Sequence, residues 1–432
     1  MPRKVTRRWV ADLSIPGGRR HKRNFAYEAF VPDLVADLDP VLPSTVVARC
    51  SEAEQAVRAL NLDPPHLGNL EALARRLLRS EAVASSWIEG IKISHRRLAK
   101  VEASNEERDA TARAVLGNVT AMEDAVELGA SQKTLRLADL LRMHADLMRE
   151  TSQARLGGKL RERQNWIGTN PYSPAGAVFV PPPETEVKPL VEDLVRFCNR
   201  TDLPPALQAA VAHAQFETIH PFGDGNGRTG RALIHVVLRR RGLTPRFVPP
   251  VSLVLATHRE AYVDGLVAFR EGRLADWADI FGRALHASAR RAADLAQEVA
   301  RLQDRWRERA GHPRSDSSAE ALIVALPAYP VLTVASAAEI LGRSVQAANS
   351  ALAQLEEAGV VTQVSLGRRN RAFEAKELLQ LVNVFERILA TPDDGDDPAR
   401  PGARQQTRAA GRCPATTSTG TSSRSSSPSR RA

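Results

Sequence analysis

Cysteine is scarce. The three residues Cys50, Cys198 and Cys413 in a chain of 432 stand far apart and form neither a C-x-x-C pair nor a Cys/His metal spacing. That excludes a disulfide-stapled scaffold and a zinc module, and implies free, reduced thiols. Aromatic residues are also few, at 5%, yet 43% hydrophobic residues over this length suffice for two or three units that each bury a core. A long apolar run is lacking as well: the longest, residues 321–338, is interrupted by Pro327 and Pro330 and holds Thr333 and Ser336, which is too broken for a membrane span. The basic start leads into no apolar signal core, so a cytoplasmic protein without a membrane partner is expected.

The net charge of +10 suggests a nucleic-acid partner until its distribution is followed. Seven net positive charges lie in residues 1–23 and seven more in residues 399–432, so the middle of the chain is mildly acidic. Residues 1–26 read as a disordered basic arm and residues 391–432, rich in Arg, Ser, Thr and Pro, as a disordered tail. Helical periodicity starts after Pro43 and gives helices over 44–62 and 67–89, the second stopped by Gly90. Further amphipathic helices are expected over 135–149, 187–198, 205–219 and 226–241, so the fold class is all-α. A Gly/Pro/Asn-rich stretch at 157–183, with strand-like pieces at Trp166-Ile167 and 178–180, reads as a small β-hairpin. Residues 290–318 read as a connector of charged helix and polar break, and residues 319–390 as a separate unit.

The chemistry is concentrated in residues 220–231, His-Pro-Phe-Gly-Asp-Gly-Asn-Gly-Arg-Thr-Gly-Arg. Gly225 and Gly227 let the backbone take positive φ and approach a ligand closely just before a helix, whose free N–H groups and positive dipole end suit a phosphate. Arg228 and Arg231, three apart, share a face of the first turn and can clamp a polyphosphate. Asp224 supplies a hard oxygen for Mg²⁺, which usually takes one or two carboxylates and fills its shell with phosphate and water. His220 is suited to accept the proton of an attacking hydroxyl near neutral pH. Neither a Walker A motif nor an EF-hand spacing is present.

This ordered combination resembles the Fic (Fic/Doc) family pattern His-x-Phe-x-Asp/Glu-Gly-Asn-Gly-Arg-x-x-Arg, matched at His220, Phe222, Asp224, Gly225, Asn226, Gly227, Arg228 and Arg231. The resemblance implies a helical Fic core over 96–289, preceded by an N-terminal region over 27–95, and transfer of AMP from Mg-ATP to a Ser, Thr or Tyr hydroxyl of a target protein or of the enzyme itself. His220 would be the base and Asp224 the metal ligand. Gly225, Asn226, Gly227, Arg228 and Arg231 would hold the phosphates, and Phe222 would anchor the loop. Ile167, Gly168, Val178 and Phe179 look like the family's flap, which registers the target by strand addition. The segment Gly158-Lys159-Leu160-Arg161 departs slightly from the usual Gly-x-Phe/Tyr-Arg that precedes it.

Residues 85–90, Ser-Ser-Trp-Ile-Glu-Gly, resemble the family's inhibitory motif Ser/Thr-x-x-x-Glu-Gly/Asn, through Ser85, Glu89 and Gly90. Glu89 facing Arg231 would neutralise the arginine that grips the γ-phosphate and leave ATP misplaced. A contact of that type is worth roughly 1.5 to 3 kcal/mol, or roughly tenfold to a hundredfold in productive binding. The same glutamate serves AMP removal in some family members, so a de-AMPylase is the alternative. Residues 319–390 look like a winged helix-turn-helix with Ser344 as an N-cap. Gln346 and Asn349 would face a major groove, with Arg368, Arg369 and Arg371 on phosphates, in a DNA-binding regulator that senses nucleotide. Such modules serve equally for homodimerisation or protein docking.

Overall fold

In the N-terminal segment Val5, Arg7 and Trp9 alternate with exposed Lys4, Thr6 and Arg8, a two-residue period that builds a strand despite the charge. The computed structural model, which describes residues 2–11, 14, 22–62, 70–104, 109–131, 133–168, 172–366 and 370–389, places strand β1 (Arg3–Trp9) antiparallel to β2 (Phe25–Val31), in register from Arg3↔Val31 to Trp9↔Phe25. The expected disordered arm is therefore corrected over its described part. Its charge is met by Glu28 opposite Lys4, Glu184 opposite Arg7 and Glu186 opposite Arg3, so the basic count hid a paired strand.

Helices α1 (Ser44–Leu62), α2 (Leu70–Ile88), α3 (His95–Ser104) and α4 (Ala110–Ala130) follow. The rest of the helical body is α5 (Leu137–Met148), α6 (Glu184–Cys198), α7 (Pro205–Ile219), α8 (Asn226–Arg240), α9 (Val251–Thr257), α10 (Arg259–Arg270) and α11 (Leu274–Arg309). Helix α7 runs through the middle, buried on nearly every side. A hydrophobic helix with no polar face is a core helix, and its alanines 206, 209, 210, 212 and 214 let neighbouring helices approach closely. Trp277 of α11 donates its indole N–H to the Ala210 carbonyl at 2.8 Å. The two ends of α7 and α8 that face each other carry the loop 220–231. None of the described helices is long and apolar enough to cross a membrane.

The expected connector is helical up to Arg309, as its charged periodicity implied, and breaks at 310–317. Residues 290–309 continue the 36-residue helix α11, about 54 Å long at 1.5 Å per residue, and bury Ala292, Leu295, Val299, Leu302 and Trp306. The stripe of small and apolar residues between the charges is what a packed helix needs. Beyond it lie α12 (Ser318–Ala325), β3 (Val331–Thr333), α13 (Val334–Leu341), α14 (Val345–Glu357), β4 (Thr362–Leu366), β5 (Asn370–Glu374) and α15 (Lys376–Leu389), with an antiparallel sheet in the order β3-β5-β4. Ser344 caps α14, accepting from Ala347 N–H at 3.2 Å. Strand β3 and helix α15 went unread in the sequence.

This C-terminal unit is joined to α2, α3 and α11 by polar contacts, some of them buried. Arg96 pairs both oxygens of Glu374, and Trp306 donates to Glu377 at 2.7 Å. Arg76 of α2 donates to His95 Nδ1 at 2.8 Å, and His95 Nε2 meets Glu386 of α15. All three of these side chains are buried. The expected tail at 391–432 lies outside the described residues.

Candidate active site

The loop between α7 and α8 is bent by two left-handed residues. His220 ends α7 at φ 49° and Gly225 starts α8 at φ 74°. The left-handed region is open to glycine but costs a non-glycine residue, so His220 is held there by its surroundings. Arg161 donates Nε–H to the His220 carbonyl at 2.9 Å, and Asn165 donates to the carbonyls of His220 and Phe222. Asn226 folds back on the loop, accepting from Phe222 N–H at 2.8 Å and donating to its carbonyl at 2.9 Å. The Asn226 carboxamide thus closes the turn, which leaves its backbone for an anion. Phe222 is buried and stacks on His144, with ring centres 3.7 Å apart. His144 accepts from Gly158 N–H through Nδ1, which sets Nε2–H to donate to the Asp224 carbonyl at 2.9 Å.

At the start of α8 the two arginines differ in their partners. Arg231, 1% exposed, donates Nε–H to Ser85 Oγ at 2.9 Å and Nη2–H to Ser85 O and Glu89 Oε1, both at 2.8 Å. Arg228, 3% exposed, has Nε and Nη1 buried without a hydrogen-bond partner among the described residues. Unsatisfied buried donors are rare and mark a site waiting for an acceptor. The Glu89 carboxylate also covers the loop backbone: a Cβ built on Gly227 would lie 1.9 Å from Glu89 Oε1. Gly227 is therefore the residue that admits an anionic oxygen to this surface. Gly90, at φ 80°, ends α2 just beyond.

The charges of the pocket act on one another. Burial raises the proton affinity of Glu89, but the Arg231 charge and hydrogen bond, with Arg228 and His220, outweigh it and hold the carboxyl below its usual range. Burial pushes His220 down to about 4, with Arg161 and Arg270 adding to the effect and Glu89 opposing it. Glu217, one turn before His220, is pushed up to about 7, first by burial and then by Glu89, against Arg231. Burial lowers Arg228, partly offset by Asp224 and Glu89. Such clustering of perturbed groups around a donor-rich helix start is a mark of functional sites.

Asp224 is exposed at the mouth of the loop, where its Oδ1 accepts Gly225 N–H at 2.7 Å. Among the described residues the flap shows an antiparallel bridge between Ile167 and Phe179, with Gly168 against Val178. Its far side is continued by β2, where Phe30 N–H donates to Val180 O at 2.9 Å, and Arg270 lies over the Phe179 ring at 4.0 Å. Gln346 and Asn349 are exposed on α14, and Arg371 donates to Asn349 at 3.1 Å. These three lie together on the C-terminal unit, whereas Arg368 and Arg369 fall outside the described residues. Sequence reasoning missed His144 and Glu217. His144 is distant in the chain and gave no signal, whereas Glu217 stands at helical i, i+3 spacing before His220 and was open to being found.

Residues 134–238 match the Fic/DOC family and residues 47–127 the Fic/DOC family N-terminal region. Both stretches are similar to the Fic/DOC family. Protein adenylyltransferase fic-1 of Caenorhabditis briggsae is 31% identical over 137 residues, 31% of this chain and 24% of that protein. A probable protein adenylyltransferase of Aquifex aeolicus is 35% identical over 100 residues, 23% of this chain and 29% of its own length. The chain spans about a quarter of the length of these curated relatives. A crystal structure of a Fic family protein from Desulfovibrio desulfuricans G20 is 23% identical with a TM-score of 0.48, covering 78% of this chain and 97% of that one.

Proposed function

We propose that the protein is an adenylyltransferase that moves AMP from Mg-ATP to a Ser, Thr or Tyr hydroxyl of a protein, itself included, and that Glu89 holds it back. The observation that carries this reading is the buried Arg228 with two donor nitrogens unpartnered among the described residues, beside a helix N-terminus and a histidine held in a left-handed turn. That arrangement asks for a polyphosphate. The target oxygen forms a bond to the α-phosphorus, the bond to the bridging oxygen breaks, and pyrophosphate leaves while His220 takes the hydroxyl proton. Arg228 and Arg231 hold the phosphates that depart, and the loop amides orient the rest.

Asp224 fits a magnesium site of the kind that forms with the nucleotide: a single exposed carboxylate, one oxygen committed to the loop, and no group of three or more His, Cys, Asp or Glu side chains suited to a resident metal among the described residues. When bound, the metal would offset phosphate charge. The restraint has a direct physical basis, because Glu89 occupies Arg231 and lies over Gly227 where a phosphate oxygen would sit. Since 37% of the Glu89 side chain is exposed, its contribution belongs near the low end of the range for charged hydrogen bonds, about 1.5 kcal/mol.

For the C-terminal unit the winged helix-turn-helix reading is supported by two helices joined at Gly342, φ 60°, beside a three-stranded sheet. Gln346 and Asn349 stand on its second helix, open to DNA or protein. The central test incubates the wild type, Glu89→Gly and His220→Ala with Mg²⁺ and α-labelled ATP and reads labelled protein. Label in Glu89→Gly that is lost in a Glu89→Gly/His220→Ala chain supports a restrained transferase; no label in any chain overturns it.

A further inference from the structure

His220 is offered one carboxylate from its own helix. Glu217 lies one turn earlier on α7, and the left-handed backbone at His220 turns the imidazole back over that turn, so that Nδ1 stands 3.7 Å from Glu217 Oε2. Glu217 Oε1 is buried without a hydrogen-bond partner among the described residues, and His220 Nδ1 has none at close range, the Glu217 main-chain carbonyl acting on the ring beside the carboxylate. The carboxylate is wedged against α8, where a Cβ built on Gly230 would meet Glu217 Oε1 at 2.7 Å. Gly230 therefore makes room for a carboxyl at this point, a close approach that only glycine permits.

We propose that Glu217 is the positioning residue of His220, accepting the Nδ1–H of its ring so that Nε2 is the atom that takes the proton of the target hydroxyl. The inference rests on the transferase reading and deepens it. The proton goes from the hydroxyl to Nε2 as the oxygen–phosphorus bond forms and pyrophosphate leaves. The ring becomes an imidazolium whose Nδ1–H faces the Glu217 carboxylate. Glu217 itself takes no proton, and the imidazolium then releases its own to water. A base oriented by a third group is the general logic of activated proton acceptors, and such hydrogen bonds are often long before substrate arrives.

The neighbours decide when the pair can close. Arg231 on α8, Glu89 on α2 and Arg270 on α10 all act on Glu217, while Glu89, Arg161 and Arg270 act on His220. With Glu89 in place its negative charge favours the protonated carboxyl of Glu217, which is a poor partner for an imidazolium. Departure of Glu89 removes that charge and leaves Arg231 to favour the ionised form.

The test uses the full chain carrying Glu89→Gly, with E217Q and E217L added separately. Gln keeps an acceptor without charge, and Leu removes the acceptor at similar size. We expect kcat to fall on the order of tenfold in E217Q and further in E217L, with KM for ATP little changed. We also expect the kcat–pH profile to lose the limb that reports ionisation of Glu217. Nitrogen-15 shifts of the His220 ring, assigned by their loss in a His220→Gln chain, supply a readout independent of transfer: Nδ1–H is the tautomer expected in the parent and is lost in E217L. Both variants keeping kcat within about twofold of the parent would overturn the proposal. If the Glu89→Gly parent forms no label, the transferase reading fails by itself, and the tautomer decides the pair: Nδ1–H retained in E217L would show that the ring is oriented without this carboxylate.

Discussion

The loop 220–231 and the end of α2 meet at Arg231, and they are held by different kinds of bonding. The loop is braced by short-range bonds within itself, Asn226 to Phe222 and Thr229 to Gly225, and by Arg161 and Asn165 at its back. The end of α2 reaches it through Ser85 and Glu89 alone, from about 140 residues earlier in the chain, and stops at Gly90 with its last side chain partly in water. A built-in cradle and a removable occupant are thus combined, and the nucleotide's phosphates would compete with the second without disturbing the first.

Four outcomes would break or sharpen that contrast. The largest effect belongs to the loop: in the Glu89→Gly chain, His220→Ala should lower labelling by roughly 10²- to 10⁴-fold, the usual worth of a general base, with ATP binding by calorimetry largely kept. Next, Asn226→Ala removes the brace and strands the Phe222 N–H, while the Phe222 carbonyl keeps Asn165, which should cost about 1–3 kcal/mol; the melting temperature should fall by a few degrees and activity with it. An unchanged melting temperature would mean that the loop is held from outside. Glu89→Gly should raise labelling about tenfold, in keeping with a partly exposed ion pair, with little change in melting temperature. A large loss of stability would make Glu89 a structural residue.

The smallest effect is that of pH. Burial holds His144, His213 and His220 at about 4, 3 and 4, below their ordinary value near 6.5. The unfolded chain therefore binds protons first, and stability falls as pH drops from 6.5 towards 4. Glu217, held up to about 7, acts in the opposite sense, because the fold takes its proton before the unfolded chain does. Melting temperatures across this range should decline with acid, and Glu217→Gln should make the decline steeper.

Much of this site was legible because its parts are contiguous. Gly225, Gly227, Arg228 and Arg231 are read from one twelve-residue string, and the helices around it follow from periodicity and caps, as with Pro205–Ile219 and Ser344. What escaped was whatever depends on distant partners or on compensation. The strand Arg3–Trp9 was hidden because the acids that neutralise it lie on β2 and α6. The second half of α11 was read as a helix, but its burial was hidden because its charged surface outnumbers its buried stripe. His144 has no local signature, since its role consists of stacking on Phe222 and holding the Asp224 carbonyl.

The buried line from Arg76 through His95 to Glu386 has a practical meaning for anyone who would cut this protein to size. Read from the sequence, the core ends at residue 289 and its helical connector at Arg309, which invites a cut there. A chain shortened there would keep Arg76 and His95 in the interior of α2 and α3 but lose the carboxylate that balances them, and an uncompensated buried charge is among the costlier defects a fold can carry. Because α2 also bears Ser85 and leads into Glu89, the damage would reach Arg231 as well. The borders of the folded unit are therefore drawn by charge balance, and helix α15 lies inside them.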